Sequence, residues 1–471
     1  MQTNILNNDT ICAIATPHGL GAIAVVRVSG PESFPIVSQL FIQNGKPFNK
    51  ENVVSHKAYY GHIVDNGNLL DEVLVTFFKA PHSFTGEDSA EISVHGSVFI
   101  QQKLLQVLIA HGCRMAEAGE FTRRAFVNRK FDLAQAEAIA DLISSESEAA
   151  HRIAINQLKG GFSKELQMMR SKLLEMTSLM ELELDFSEED VEFADRSQLK
   201  ALLDETLAHV NRLKDSFRLG NAIKNGIPVA IVGQTNTGKS TLLNALLGED
   251  RAIVSDIAGT TRDTIEETLN INGILYRFID TAGLRNTDET IEKIGIERSY
   301  KKIAEANVVI GMLDATTSYK SMLSATNDIR SRVDLSNQQL IICINKVDTL
   351  ADQGEALLGE LRLDLDNDDI MVICLSAKHG FGLNDLYNTL KYSQPLASPD
   401  ATLVTNVRHY EALLHASESL NQVQQGLEMN IPTDLVSQDL RQALYHLGSI
   451  TGEITTDEVL GSIFSRFCIG K

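Results

Sequence analysis

The stretch Val229–Gly248, VAIVGQTNTGKSTLLNALLG, decides the fold. Apolar, mostly β-branched residues lead into Gly233-Gln-Thr-Asn-Thr-Gly-Lys-Ser240, a G-x-x-x-x-G-K-S loop, and a leucine-rich run at helical spacing follows. Strand, glycine loop and helix in that order let backbone N–H groups wrap a phosphate chain. Gly233 and Gly238 permit the wrap, Lys239 brings charge to the β- and γ-phosphates, and Ser240 offers Mg²⁺ a hydroxyl. Asn236, Thr237 and Thr241 complete the expected nucleotide contacts of this loop.

Working outward, three more signals close apolar runs: Asp280-Thr281-Ala282-Gly283 after LYRFI, Asn345-Lys346-Val347-Asp348 after LIICI, and Ser376-Ala377-Lys378 after VICL. Between about residues 224 and 392 such strands alternate with helical patterns, which predicts a parallel sheet with crossover helices. A carboxylate at Asp348 accepts from guanine N1–H and its exocyclic amine, groups adenine lacks, so the site selects guanine. The Ala377 N–H is expected to meet guanine O6. The stretch Ser255-Asp256-Ile257-Ala258-Gly259-Thr260-Thr261 reads as a first switch, with Thr261 reaching Mg²⁺, and Gly283 as the γ-phosphate donor of a second.

Hydrolysis needs another source of water orientation, because Leu284 stands where Ras-type GTPases place glutamine. An acid in the following LRNTDETIEKIGIE segment is expected to act through a bridging water, Glu292 first and Glu289 second. No internal arginine finger is evident; Asn236 with switch-I backbone oxygens is a candidate holder of a monovalent cation against the phosphates.

The remaining chain sets limits. With 471 residues and 43% hydrophobic content, about three domains are expected. Apolar runs such as Val308–Leu313 are far shorter than the roughly 18 residues of a membrane span, and no secretory start is visible, so a cytoplasmic, non-membrane protein is expected. Five scattered cysteines, Cys12, Cys113, Cys343, Cys374 and Cys468, fit a reducing compartment rather than a disulfide frame or zinc site. A net charge of −20 argues against broad coating of nucleic acid. The one basic cluster, Arg123, Arg124, Arg129 and Lys130, reads either as a solvated face or as a local anion contact. Residues 1–122 alternate short strands with Gly and Pro turns; helical periodicity fills 123–223, returns in 394–471, and brackets the 224–393 α/β unit.

Outside the nucleotide motifs, DTICAIATPHGLGAIAVVRVSG, PHSFTGEDSAEISVHG, AGEFTRRAFVNRKFDLAQAEAIADLI and the terminal SRFCIGK join DIAGTTRD and DTAGLR to make a specific pattern. On these residues the chain resembles the tRNA modification GTPase MnmE (TrmE) family over its whole length. That resemblance implies a multidomain protein: an α+β N-terminal folate-binding domain, an all-α domain split in sequence, and an inserted α/β Ras-like P-loop G domain. It further implies a homodimer through the N-terminal domains and a flavoprotein partner, MnmG (GidA), which carries FAD, in a heterotetramer or larger complex. With tRNA as substrate, the pair would place an aminomethyl or carboxymethylaminomethyl group on C5 of wobble uridines, using 5,10-methylene- or 5-formyl-tetrahydrofolate. The family's K⁺ site falls on Asn236, Ser255, Ile257 and Thr260, its Mg²⁺ on Ser240 and Thr261, and its catalytic acid on Glu292. Its folate contacts fall on Arg27, Glu87, Lys130 and Lys471. Cys468, in the CIGK tail, is read either as a nucleophile or as a packed thiol. The rival readings are a ribosome-assembly GTPase of the Era or Der type without one-carbon chemistry, and an idle nucleotide-binding scaffold.

Overall fold

A computed structural model describes residues 9–185, 196–248, 267–279, 302–352, 354–365, 370–392, 402–429, 431–465, 467 and 469–470. The chain forms two compact units, one comprising Met1–Ile143, Gln157–Val210 and Ala412–Lys471, the other Ser144–Asn156 and Asn211–Glu411. Thus 144–156 and 211–223, read in sequence as helical-domain segments, group with the nucleotide-binding unit: Ala149, Ala222 and Ile223 are buried in its core.

The strands of the first unit are β1 (Ile11–Ile14), β2 (Ile23–Ser29), β3 (Phe41–Gln43), β4 (Lys46–Pro47), β5 (Lys57–Asp65), β6 (Asn68–Phe78), β7 (Ser89–His95) and β8 (Arg114–Met115). They form a sheet of order β4-β3-β5-β6-β7-β2-β1-β8, antiparallel except for the β1–β8 pair. β6 alternates, burying Val73, Val75 and Phe77 while Leu74 faces out, as a strand with one wet face must. β1 does not alternate, because both its faces are covered. Cys12 and Ile14 join the main core with Val26, Val28 and Leu104, while Ile11 and Ala13 meet Ala116 and Phe121 on the other side. Each such fully buried branched or aromatic side chain contributes roughly 1.5–3 kcal/mol.

The helical part of this unit is built on the long helix Gly161–Asp185, which packs along Thr433–Thr451. Leu166, Met169, Leu173, Met176 and Met180 recur at three- and four-residue steps and are all buried, the spacing of a helix seam. At the C-terminus, Thr456 caps Asp457–Phe464 by accepting from the Val459 N–H. Phe464 and Phe467 then pack against Phe126 and Leu133, and Ile469 bridges to Ala118. Gly470 closes on β1 at φ +96°, where a Cβ would lie 2.2 Å from the Ile14 carbonyl oxygen, so only glycine fits.

The second unit holds β9 (Ile227–Gly233), β10 (Glu267–Ile271), β11 (Ile274–Phe278), β12 (Val308–Asp314), β13 (Gln339–Asn345) and β14 (Met371–Cys374) in the order β10-β11-β9-β12-β13-β14. All neighbours are parallel except the β10–β11 hairpin. Alternate residues bury into two cores: Val229, Ile231, Ile341 and Cys343 on one face, Ala230, Val232, Leu340, Ile342 and Ile344 on the other. Burial on both faces explains the unbroken apolar runs of VAIV and LIICI. The multidomain reading, with a doubly covered α/β G domain beside an α+β and a helical part, is borne out.

Candidate functional site

The carboxyl ends of β9, β12, β13 and β14 meet at one edge of the sheet, where open α/β sheets bind ligands. β9 delivers the loop Gly233–Ser240, and Lys239 and Ser240 open the helix Lys239–Gly248. Thr237 is buried and donates its hydroxyl to the Gln234 carbonyl at 2.9 Å; Lys239 Nζ donates to the Gly233 and Gln234 carbonyls at 3.0 and 2.7 Å. The ammonium is thereby held against the loop's own carbonyl oxygens. Asn236 sits exposed on the loop in the left-handed region, φ +60°.

β13 ends on Asn345, 3% exposed, whose side chain joins two of the motifs. Its Nδ2 donates to the Thr237 carbonyl at 2.8 Å, and its Oδ1 accepts from the Ala377 N–H at 3.0 Å. The phosphate loop and the Ser376–Lys378 loop are therefore fastened through one amide. The Ala377 N–H, expected in sequence to meet guanine O6, donates here to Asn345, since a buried N–H takes the acceptor beside it. Gly238 packs on the same amide: at φ +95° a Cβ there would stand 2.2 Å from Asn345 Nδ2.

The rest of Asn345–Asp348 divides its work. Val347 is wholly buried in the apolar core, so its side chain packs rather than faces a ligand. Lys346, at φ +66°, pairs with Asp314 at 2.6 Å. Burial acts to raise the Asp314 carboxyl, but Lys346 and the Thr316 hydroxyl and N–H outweigh it and hold it below the ordinary range. Asp314 was not singled out in sequence; its signal was its position closing VVIGMLD, as Asn345 closes the next strand. Asp348 is held below the ordinary carboxylate range, chiefly by the Ser376 hydroxyl, with His379 Nε2 3.7 Å away. It is an ionised acceptor beside the exposed Lys378. Ser255, Asp256, Ile257, Ala258, Gly259, Thr260, Thr261, Asp280, Thr281, Ala282, Gly283, Glu289 and Glu292 lie outside the described residues.

In the first unit, three of the four folate candidates gather around the 81–88 loop. Arg27, on β2, binds Glu91 Oε1 through Nε and Nη2 at 3.0 and 2.8 Å and reaches the Gly470 carbonyl at 3.4 Å. Its guanidinium lies 5.0 Å from the ring centre of Phe84 and 5.7 Å from that of Phe121. Glu87 accepts from Ser29 Oγ at 2.8 Å and from Arg124 Nη1 at 3.3 Å. Lys130 Nζ donates to the Pro81 carbonyl at 3.0 Å. Lys471 and Cys468 lie outside the described residues, but Gly470 brings the tail to Arg27.

The basic cluster divides: Arg129 and Lys130 are exposed, whereas Arg124 fits neither sequence reading. Arg124 is buried and pairs with Asp9 at 2.6 Å and Glu120 at 3.0 Å as well as Glu87, while Arg114 takes both Glu120 oxygens and Asp9. Burial works to raise the Glu120 carboxyl, and donation from Arg114, the Glu117 N–H and Arg124 outweighs it and keeps it below its ordinary value. Helix Glu120–Val127 is thus bound to the sheet by a charge network, and Arg124 is consumed by it. Sequence spacing could not reveal this, because Asp9 and Glu87 reach Arg124 from distant segments.

The description of the MnmE helical domain matches residues 133–468, and that of the GTP-binding protein TrmE N-terminus matches 10–130. A curated relative named tRNA modification GTPase MnmE, from Bacteroides fragilis, is 50% identical over 470 residues, spanning 99% of this chain and 100% of its own length. The chain belongs to the MnmE (TrmE) family. A Flavobacterium johnsoniae relative of the same name is 52% identical over 474 residues, covering 99% of this chain and all of the relative. Among solved structures, Aquifex aeolicus Era bound to GDP·AlF₄⁻ is 31% identical over 41% of this chain and 66% of its own, with a TM-score of 0.27, a likeness too partial to carry weight. Among the described residues no helix is long and apolar enough to cross a membrane.

Proposed function

We propose that the chain is a K⁺-stimulated GTP hydrolase which, with a flavoprotein partner and a tetrahydrofolate one-carbon unit, modifies C5 of the wobble uridine of certain tRNAs. The observation that carries the hydrolase reading is the Asn345 amide joining the phosphate loop to the Ser376–Lys378 loop, with ionised Asp348 beside it to accept from guanine. Full-length relatives named as tRNA modification GTPases support the tRNA part.

In this reading Lys239 sets charge over the β- and γ-phosphates, Ser240 with Thr261 holds Mg²⁺, and Asn236 with Ser255, Ile257 and Thr260 holds K⁺. The exposed, left-handed Asn236 suits that place, since its amide oxygen is a hard donor. Bound K⁺ supplies positive charge where an arginine finger would otherwise act. Asp280 and Gly283 close the second switch, and Glu292 orients the attacking water.

Arg27, Glu87, Lys130 and Lys471 hold the folate, which supplies the one-carbon unit when bound. Glu87 suits a pterin: its oxygens accept from Ser29 and Arg124 and still have lone pairs for ring N–H donors. The cations suit a glutamate tail. Cys468 is assigned no catalytic step. A homodimer, the MnmG-type partner carrying FAD and a cytoplasmic location complete the proposal.

The test is steady-state hydrolysis by the purified chain. GTP turnover is expected to be several-fold faster in K⁺ than in Na⁺, with ATP turnover negligible. Equal rates in the two salts remove the K⁺ site, and equal rates on the two nucleotides remove the role of Asp348.

A further inference from the structure

A cavity of about 710 Å³ lies in the second unit at the amino ends of the sheet strands. Its wall includes Pro228 at the start of β9, Asn307 just before β12 and Arg277 of β11, which pairs with Pro228. Five residue steps along the strand separate Pro228 from Gly233, about 16 Å at roughly 3.3 Å per step, so the cavity is remote from the phosphate loop.

Its size is that of small-molecule sites, roughly 300–1,000 Å³. Three cations reach it from three elements: Lys214 from helix Arg196–Asp215, Arg218 from helix Phe217–Asn225, and Arg277 from β11. Two acids also line it, Asp215 and Glu305, and Glu305 already accepts from Lys302 at 2.7 Å. The lining thus carries three cations against two acids, with Lys214 Nζ donating to Asn211 Oδ1 at 2.8 Å and Asp334 acting on Arg218; in a chain of net charge −20 this small positive excess suits an anion. Guanidinium groups match phosphate with paired N–H donors. Phe217 and Tyr410 stack with centroids 4.6 Å apart and planes at 23°, giving the cavity an aromatic wall on which a planar ring can lie.

We infer that this cavity is a second ligand site, separate from the GTP site, that takes a mononucleotide-class molecule through its phosphate and ring face. Neither the nucleotide motifs nor the folate residues contribute to it.

Calorimetric titration of the full chain, first saturated with Mg²⁺ and GDP so that the G site is filled, tests this. AMP and inorganic phosphate are the probes, because adenine lacks the edge that Asp348 reads. One further AMP site per chain is expected, with AMP tighter than phosphate. Arg218→Ala should weaken AMP binding about tenfold, and Tyr410→Ala several-fold, with GDP affinity unchanged in both. Absence of AMP binding up to millimolar concentration, or equal affinity in wild type and Arg218→Ala, overturns the inference. So does binding of single-stranded RNA without any binding of AMP, which would make the surface a backbone contact. GDP affinity measured on the same samples reports separately on the G site and on folding.

Discussion

Replacing Asn345 by alanine should loosen the nucleotide site from within, because this one side chain satisfies two buried backbone groups. The Thr237 carbonyl would lose its donor at 2.8 Å and the Ala377 N–H its acceptor at 3.0 Å, at a position only 3% exposed. A buried polar group left without its partner costs roughly 1–3 kcal/mol, so the pair costs about 2–6 kcal/mol. Hydrogen exchange followed by mass spectrometry reads this locally, which matters in a chain of two units where a single melting curve mixes transitions. Since about 1.4 kcal/mol is tenfold, amides of β9, β13 and the 376–378 loop should exchange at least about thirtyfold faster, while those of β5 and β6 in the first unit stay as they were. Asn345→Asp should be no milder. It keeps the acceptor for Ala377 but sets a carboxylate against the Thr237 carbonyl. Exchange in β9 and β13 within threefold of wild type would refute the claim that Asn345 fastens the two loops.

Gly238→Ala should abolish GDP binding with little change in helical circular dichroism, because its Cβ would stand 2.2 Å from Asn345 Nδ2 on a backbone at φ +95°; retained micromolar affinity would contradict the packing. Arg124→Ala should destabilise the first unit by about 3–5 kcal/mol, read as faster exchange across β1 and β2, because Glu120 and Glu87 lose a buried partner. The carboxyls of Glu120 and Asp9 titrate below their ordinary values of 4.5 and 3.8, so the folded state binds fewer protons than the unfolded one in acid. Their contribution is complete above about pH 5 and is lost as pH falls below 4.5; a first-unit stability that is flat from pH 5 down to 3 would count against the network. Glu292→Ala should lower single-turnover GTP hydrolysis by about 10²-fold while leaving GDP affinity intact, and an unchanged rate would pass the role to Glu289.

The G domain was readable because its chemistry is local in sequence: each motif closes a strand, and the strand runs are apolar throughout because both sheet faces are covered. What stayed hidden depends on distant partners. Nothing around Arg124 announces Asp9 or Glu87, so the RRAFVNRK segment looked like free positive charge when its second arginine is neutralised. Cys12 and Cys113, which spacing kept apart, are buried as free thiols in the same core of the first unit. Asn345 was legible as a nucleotide residue, but its second task, fastening Ala377, appears only once β13 and β14 lie side by side. Residues 148–156 and most of 211–223 are helical, yet periodicity says nothing of which core a helix joins.

Nucleoside mass spectrometry of wobble uridines, in tRNA from cells lacking this gene and from the same cells carrying a complementing copy, tests the central claim most directly. The account predicts that the aminomethyl-type C5 modifications disappear without the gene, return with the wild-type copy, and fail to return with the Gly238→Ala copy. Unchanged nucleosides in the deletion strain would contradict it and leave a GTPase whose target lies elsewhere.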